Sequence, residues 1–239
     1  NTKIDEEEYS LGVKLRQKFN FLMIGSITAQ TPETDRKNLA YAIKWFCEEF
    51  KDNTKVGLVL KTNFGKGTKI DRKLTLDYIK NVVSSSREGK FPKINILHGG
   101  MTQSEIASLY RHPKIKCLMT ATRGEGYGLP IIEAAASGLP VVATDWSGHL
   151  DFLKDNFVKV DYTLDEIPKE RIDNRIFIEG SRWANVSEND FKRKIRKVVN
   201  TYALLEKQAK SHQGFVKKNF SKRAVMGMYN DFFSELIKN

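Results

Sequence analysis

The chain has 239 residues, with 40 Lys and Arg against 29 Asp and Glu, for a formal net charge of +11. That length suits one large α/β unit with its own core, and no apolar run is long enough to span a bilayer. The two cysteines, Cys47 and Cys117, sit in apolar patterns and exclude a disulfide framework; they read as buried thiols of a reducing compartment.

The chain opens on Asn1-Thr2-Lys3-Ile4-Asp5-Glu6-Glu7-Glu8, which is acidic and polar, so a cytoplasmic location and a trimmed start are expected. Residues 1–18 read as an N-terminal helix or linker, with helix-like spacing from Glu6 to Lys18. The remainder, 19–239, reads as one domain. Phe19 to Gly25 is a buried strand ending in glycine. A polar loop with Pro32 leads to a helix over Asn38–Phe50, with Leu39, Ile43 and Phe46 on one face. Val56–Lys61 is a second strand, Asp71–Arg87 a long amphipathic helix, and Ile94–Leu97 a third strand running into His98-Gly99-Gly100. Thr102 and Glu105 have capping-box spacing for a short helix through Tyr110. Lys114–Met119 is the fourth strand, Pro140–Thr144 the fifth and Phe157–Val160 the sixth. This alternation predicts a doubly wound parallel sheet of about six strands. From Ser187 onward the chain is helical, with breaks expected near Gly214 and near Asn219-Phe220-Ser221.

Between the fourth strand and the next helix lies Arg123-Gly124-Glu125-Gly126-Tyr127-Gly128-Leu129-Pro130-Ile131-Ile132-Glu133. In an open parallel sheet, ligands bind beyond the carboxyl ends of the strands. A glycine-rich turn feeding a helix N-terminus there offers free N–H groups to an anion, and proline suits the first helical turn. Two carboxylates within such a site suggest a ligand with hydroxyls as well as phosphates, because a carboxylate accepts hydrogen bonds from a diol. The alternative is that Glu133 favours the helix dipole and Glu125 is a solvated loop residue.

Glu125 and Glu133, spaced as Glu-x7-Glu around Gly-Tyr-Gly-Leu-Pro and followed by Ala134-Ala135-Ala136-Ser137-Gly138-Leu139-Pro140, resemble the nucleotide-sugar motif of family-four retaining glycosyltransferases (glycosyl transferases group 1). Trp146-Ser147-Gly148-His149-Leu150-Asp151-Phe152 is similar to the family's next segment. The resemblance implies the C-terminal, donor-binding half of a GT-B fold, Rossmann-like and completed by its C-terminal helices. The N-terminal acceptor domain would be missing from this chain, leaving it inactive alone. It also implies roles. Glu125 lies near the donor sugar and Glu133 binds the nucleoside ribose. Arg36 and Lys37, opening the helix after the first strand, hold the pyrophosphate; Ser26 stands after Gly25, where the family usually has an arginine.

Gly25, Gly99, Gly126, Tyr127, Gly128 and Leu129 then line the nucleotide site, Lys61 reaches a phosphate or is a solvated strand end, and Arg123 pairs with Glu125 or with phosphate. His149 is a weaker candidate for the sugar side. No residues have metal-ligand spacing, so the expected donor is a nucleoside diphosphate sugar bound without metal. Expected partners are that nucleotide sugar and a glycan or lipid-linked acceptor, with no nucleic acid. The basic run Lys192–Lys197 reads as a solvated helix face or as an attraction to an anionic membrane surface. A sugar-nucleotide epimerase on the same scaffold, or an inactive nucleotide-binding or assembly module, are the alternatives.

Overall fold

The computed structural model describes residues 14–238 apart from 30, 66, 87 and 88. The expected helix over Glu6–Lys18 falls on undescribed residues up to 13, and Lys14–Lys18 is irregular, with Leu15 buried. Six strands form the main sheet: β1 (Phe19–Ile24), β2 (Val56–Thr62), β3 (Lys93–His98), β4 (Ile115–Met119), β5 (Val141–Thr144) and β6 (Val158–Val160). Their order is β3-β2-β1-β4-β5-β6, and every pairing is parallel. This is the doubly wound, Rossmann-like arrangement expected from the alternation of strands and helices.

Side chains alternate across each strand, so a sheet covered on both faces needs apolar residues at successive positions. In β1, Phe21 and Met23 enter one core and Leu22 the other. Helices α1 (Leu39–Glu49), α2 (Lys69–Ser86) and α6 (Glu188–Asn200) flank the first core, which holds Phe46, Leu58, Phe191 and Ile195. Helices α3 (Gln103–Arg111), α4 (Leu129–Ala136), α5 (Leu150–Leu153) and α7 (Tyr202–Phe220) flank the second, with Leu118, Ile131, Phe152 and Val216. The capping box of α3 forms as expected, Thr102 and Glu105 each satisfying the other's backbone N–H.

The C-terminal region differs from expectation at one of its two breaks. The break expected near Asn219-Phe220-Ser221 falls at Ser221, before α8 (Lys222–Lys238), but Gly214 lies inside an unbroken α7 and the other break comes at Thr201, between α6 and α7. A glycine costs a helix interior about 1 kcal/mol. Here tertiary contacts outweigh that cost: Ala209, His212 and Val216 are buried, Nε2 of Gln213 donates to the Ala136 carbonyl at 2.9 Å, and the His212 ring lies 2.7 Å from the Phe152 carbonyl. An antiparallel hairpin, β7 (Tyr162–Glu166) with β8 (Arg182–Val186), adds a second small sheet absent from the expected element list. The basic run on α6 is largely ion-paired: Lys192 with Glu48 and Glu188, Arg193 with Asp190, and Arg196 with Glu49. Cys47 and Cys117 are both buried. Among the described residues no helix is long and apolar enough to cross a membrane.

Candidate nucleotide-sugar site

Strand order reverses between β1 and β4, and the loops leaving their carboxyl ends diverge to opposite sides of the sheet. Such a switch point leaves a crevice. The loop after β1 brings Arg36 and Lys37 there, and the loop after β4 brings Glu125.

Asp35 builds the first loop. Fully buried, it accepts hydrogen bonds from the Thr28 hydroxyl at 2.7 Å, the Lys37 N–H at 3.1 Å and the Leu39 N–H at 2.9 Å. The last of these gives α1 a capping acceptor, since Asn38 at the cap position offers no side-chain bond and takes a left-handed φ of 55°. The turn leaves the two cations pointing across the crevice. Lys37 Nζ donates to Glu125 Oε1 at 2.6 Å, and Arg36 Nη1 lies 3.3 Å from Glu125 Oε2 while also bonding the Gly124 carbonyl. Burial opposes ionisation of Glu125, but Lys37 and then Arg36 overcome it and hold its pKa below the usual carboxylate value. The three groups carry a net positive charge.

The loop after β5 fixes the second loop from behind. Ser147, at a left-handed φ of 91°, accepts from the Glu125 N–H at 2.8 Å and donates to the Glu125 carbonyl at 2.5 Å. The Gly148 N–H reaches the same carbonyl at 3.1 Å. A Cβ at Gly148 would lie 2.1 Å from the Gly126 carbonyl oxygen, so only glycine permits this approach. The segment containing Ser147 was legible by resemblance, but nothing in the sequence marks the serine as a backbone clamp.

Gly128 caps α4 at a left-handed φ of 86°, and Pro130 occupies the first turn. Leu129 and Tyr127 are exposed, the Tyr127 ring lying 5.5 Å from that of Phe152, and a Cβ at Gly126 would meet nothing within 4 Å. Glu133 lies one turn further along the helix. The residue is exposed overall, yet its carboxylate accepts from the Tyr110 hydroxyl at 3.0 Å; partial desolvation raises its pKa, and the tyrosine offsets this in part. Buried His149 holds its Nε2 at 2.7 Å from the Thr144 carbonyl, and desolvation lowers its pKa, which suits a neutral ring supporting the loop.

Four expected residues, Arg123, Lys61, Gly99 and Gly25, sit apart from this cluster. Arg123 does not pair with Glu125. It is 6 % exposed, donates from Nη1 to Asn185 Oδ1 at 2.9 Å and stacks over Trp183 at 5.2 Å. The cause is the unanticipated hairpin, whose β8 pairs with this segment through Ala184 N–H to the Arg123 carbonyl. Lys61 is buried rather than solvated, its Nζ 2.5 Å from the Gly99 carbonyl, and desolvation lowers its pKa. Gly99, at a φ of 97°, thereby closes the end of β3 onto β2. Gly25 ends β1, its N–H donating to the Lys61 carbonyl at 3.1 Å. Among the described residues there is no group of three or more His, Cys, Asp or Glu placed to hold a metal ion.

Residues 91–212, just over half of the chain, match the family described as glycosyl transferases group 1. Solved structures share the fold at low identity. A glycosyltransferase from Rickettsia africae is 15% identical with a TM-score of 0.63, over 92% of this chain and 48% of that one. The C-terminal domain of a glycosyl transferase group 1 family protein from Francisella tularensis is 18% identical with a TM-score of 0.58, over 86% and 88%. The pneumococcal O-GlcNAc transferase GtfA, solved with UDP and GlcNAc, is 13% identical with a TM-score of 0.59, over 93% and 37%. The chain thus spans about half of the Rickettsia protein and nearly all of the isolated Francisella domain. No curated protein matches the sequence.

Proposed function

Because the chain belongs to the glycosyl transferases group 1 family, we propose that it is the donor-binding half of a two-domain glycosyltransferase that takes a sugar from a nucleoside diphosphate sugar. The observation that carries this reading is the ion cluster at the switch point. Lys37 and Arg36 converge on Glu125 beside the N-terminus of α4, and Glu133 stands on that same helix. The cluster has a spare positive charge, and the start of α4 adds the N–H groups of Gly128 and Leu129, since Pro130 has none and Ile131 and Ile132 bond the Gly128 carbonyl, together with a favourable dipole for an anion.

A donor diphosphate would take over the two cations. Glu125, released from them, would accept hydrogen bonds from the sugar hydroxyls, and Glu133 would accept from the ribose diol. In the transfer step the bond between the sugar C1 and the β-phosphate oxygen breaks, an acceptor hydroxyl oxygen bonds to C1, and its proton passes to the departing phosphate. Negative charge grows on the departing phosphate, where Lys37, Arg36 and the N–H groups near Gly128 and Leu129 stabilise it. Retention of configuration, independence of metal, a cytoplasmic location at a membrane surface, and an acceptor domain beyond this chain complete the proposal. The fold of GtfA, whose structure holds UDP, is consistent with a nucleotide donor.

The test is calorimetric titration of the chain with UDP, GDP, ADP and their common sugars in EDTA. Binding of one nucleotide series, weakened in Glu133→Ala, supports the reading and identifies the base. Equal binding by wild type and variant removes the ribose role from Glu133. Absence of binding by every nucleotide, in this chain and in one joined to its acceptor domain, sinks the reading and favours an assembly module.

A further inference from the structure

Glu125 and Glu133 are held in different ways. Two cations close on Glu125, whereas among the described residues no cation pairs with Glu133; the hydroxyl of Tyr110 reaches it instead, donating to Oε2 at 3.0 Å. Tyr110 is 3% exposed and lies with Ile131 and Ile132 in the second core, on a helix fixed at its start by the Thr102–Glu105 capping box. That helix, α3, follows the turn at Gly99, so the tyrosine ties the end of β3 to the motif helix α4. Burial, and then the neighbouring Glu133, push the Tyr110 hydroxyl far above its ordinary value, so it stays a donor at every working pH.

We infer that Tyr110 is the positioning residue for the ribose carboxylate, holding Glu133 in place for the nucleoside diol while leaving it charged. The inference rests on the reading of Glu133 as the ribose acceptor. A glutamate is a long side chain whose rotamer freedom is lost when it binds, and a rigid, core-packed phenol removes that freedom before the nucleotide arrives. The bond occupies one lone pair of Oε2; the other, and both of Oε1, remain to accept from hydroxyls.

A neutral donor suits this task better than a cation. Glu133 is partly desolvated, which favours its protonated form, and a protonated carboxyl presents a donor where the ribose hydroxyls need acceptors. A lysine or arginine would keep it ionised more strongly, yet would compete for the oxygens that the diol needs. The tyrosine hydroxyl favours the ionised form through one hydrogen bond and adds no charge. A buried tyrosine also needs a partner for its own hydroxyl, and a purely structural bond would meet that need without touching nucleotide recognition. The two roles differ in whether the ribose hydroxyls feel the loss of the bond.

The test compares wild type, Tyr110→Phe and Glu133→Ala by calorimetry in EDTA with UDP, GDP, ADP and their 2′-deoxy counterparts, and follows the Glu133 carboxyl by carbon NMR as pH is varied. In wild type the ribonucleotide of the recognised base should bind about tenfold more tightly than its deoxy form. Tyr110→Phe keeps the ring in the core; it should shrink that ratio about threefold, wholly through weaker binding of the ribonucleotide, and raise the pH at which Glu133 titrates. Equal weakening of both nucleotides, an unchanged ratio, or an unmoved Glu133 titration overturns the inference and leaves Tyr110 with a structural bond. If Glu133→Ala keeps the wild-type ratio, the ribose role falls and this inference falls with it. If Glu133→Ala collapses the ratio and Tyr110→Phe does not change it, the ribose role stands and this inference alone is overturned. Absence of binding by every nucleotide sinks the donor reading and this one together.

Discussion

Replacing Gly148 by alanine separates the architecture of the crevice from its chemistry. The added Cβ would lie 2.1 Å from the Gly126 carbonyl oxygen, 2.9 Å from the Gly126 carbonyl carbon and 3.0 Å from the Glu125 carbonyl oxygen. All three atoms are backbone, so no rotamer change relieves the overlap, and the two loops must part. Overpacking of this kind costs about 1–3 kcal/mol. Parting also removes the Gly148 N–H bond to the Glu125 carbonyl and the two bonds of the Ser147 hydroxyl, each worth about 0.5–1.5 kcal/mol. Together these come to about 2.5–7.5 kcal/mol, centred near 5 kcal/mol, which for a chain of this size lowers Tm by about 10–20 °C. The control is Gly126→Ala, where a Cβ meets nothing within 4 Å and φ is not positive. That variant should melt within about 2 °C of wild type while losing nucleotide affinity, because the new methyl intrudes where a phosphate must approach. The assay is thermal unfolding followed by calorimetry with nucleotide. A Gly148→Ala protein that melts with the wild type would refute the account of the clamp.

The two carboxylates should respond to pH in opposite senses. Lys37 and Arg36 depress the folded pKa of Glu125, so its pairing stabilises the fold above the ordinary glutamate value of 4.5 and is lost as pH falls through the lower folded value. Glu125→Gln should therefore be less stable than wild type near pH 7, with a gap that narrows in acid; parallel stability curves between pH 2 and 7 would contradict this. Glu133 has a raised pKa, so its charge opposes folding in full above the folded value, and the penalty shrinks as pH falls through that value and is gone below the unfolded one. Glu133→Gln should be slightly more stable at pH 7 yet bind nucleotide about tenfold more weakly, which melting and calorimetry would read together. Gly214→Ala, inside α7 with no atom within 4 Å of the new Cβ, should gain about 0.5–1 kcal/mol, visible as a Tm rise of about 1–4 °C.

The sheet was legible because strands covered on both faces, such as Val56–Thr62, read as unbroken apolar runs. The carboxylate pair was legible because its spacing is local, one loop and one turn of helix. What escaped notice depends on contacts distant in sequence. Tyr162–Glu166 alternates only at Tyr162 and Leu164 before two acidic residues, most of its side chains face solvent, and it is a strand by pairing with Arg182–Val186. That pairing redirects Arg123, so misreading the hairpin and misplacing the arginine share one cause. Gly214 was read by propensity, which the buried face of α7 overrides. Ser147 reads as an ordinary loop serine until the β5 loop is seen folded over Glu125.

The grip of α7 on the sheet also bears on how the chain matures. Gln213 bonds the carbonyl at the end of α4 across a separation of 77 residues. At ribosomal rates of about 5–20 residues per second, that interval lasts about 4–15 s. Through it the newly made motif helix lacks the cover of Val216 and its neighbours, with Ile131 and Leu139 left without their final packing. The nascent domain therefore exposes this apolar face just after the glycine-rich motif emerges, and the emergence of α7 ends that exposure.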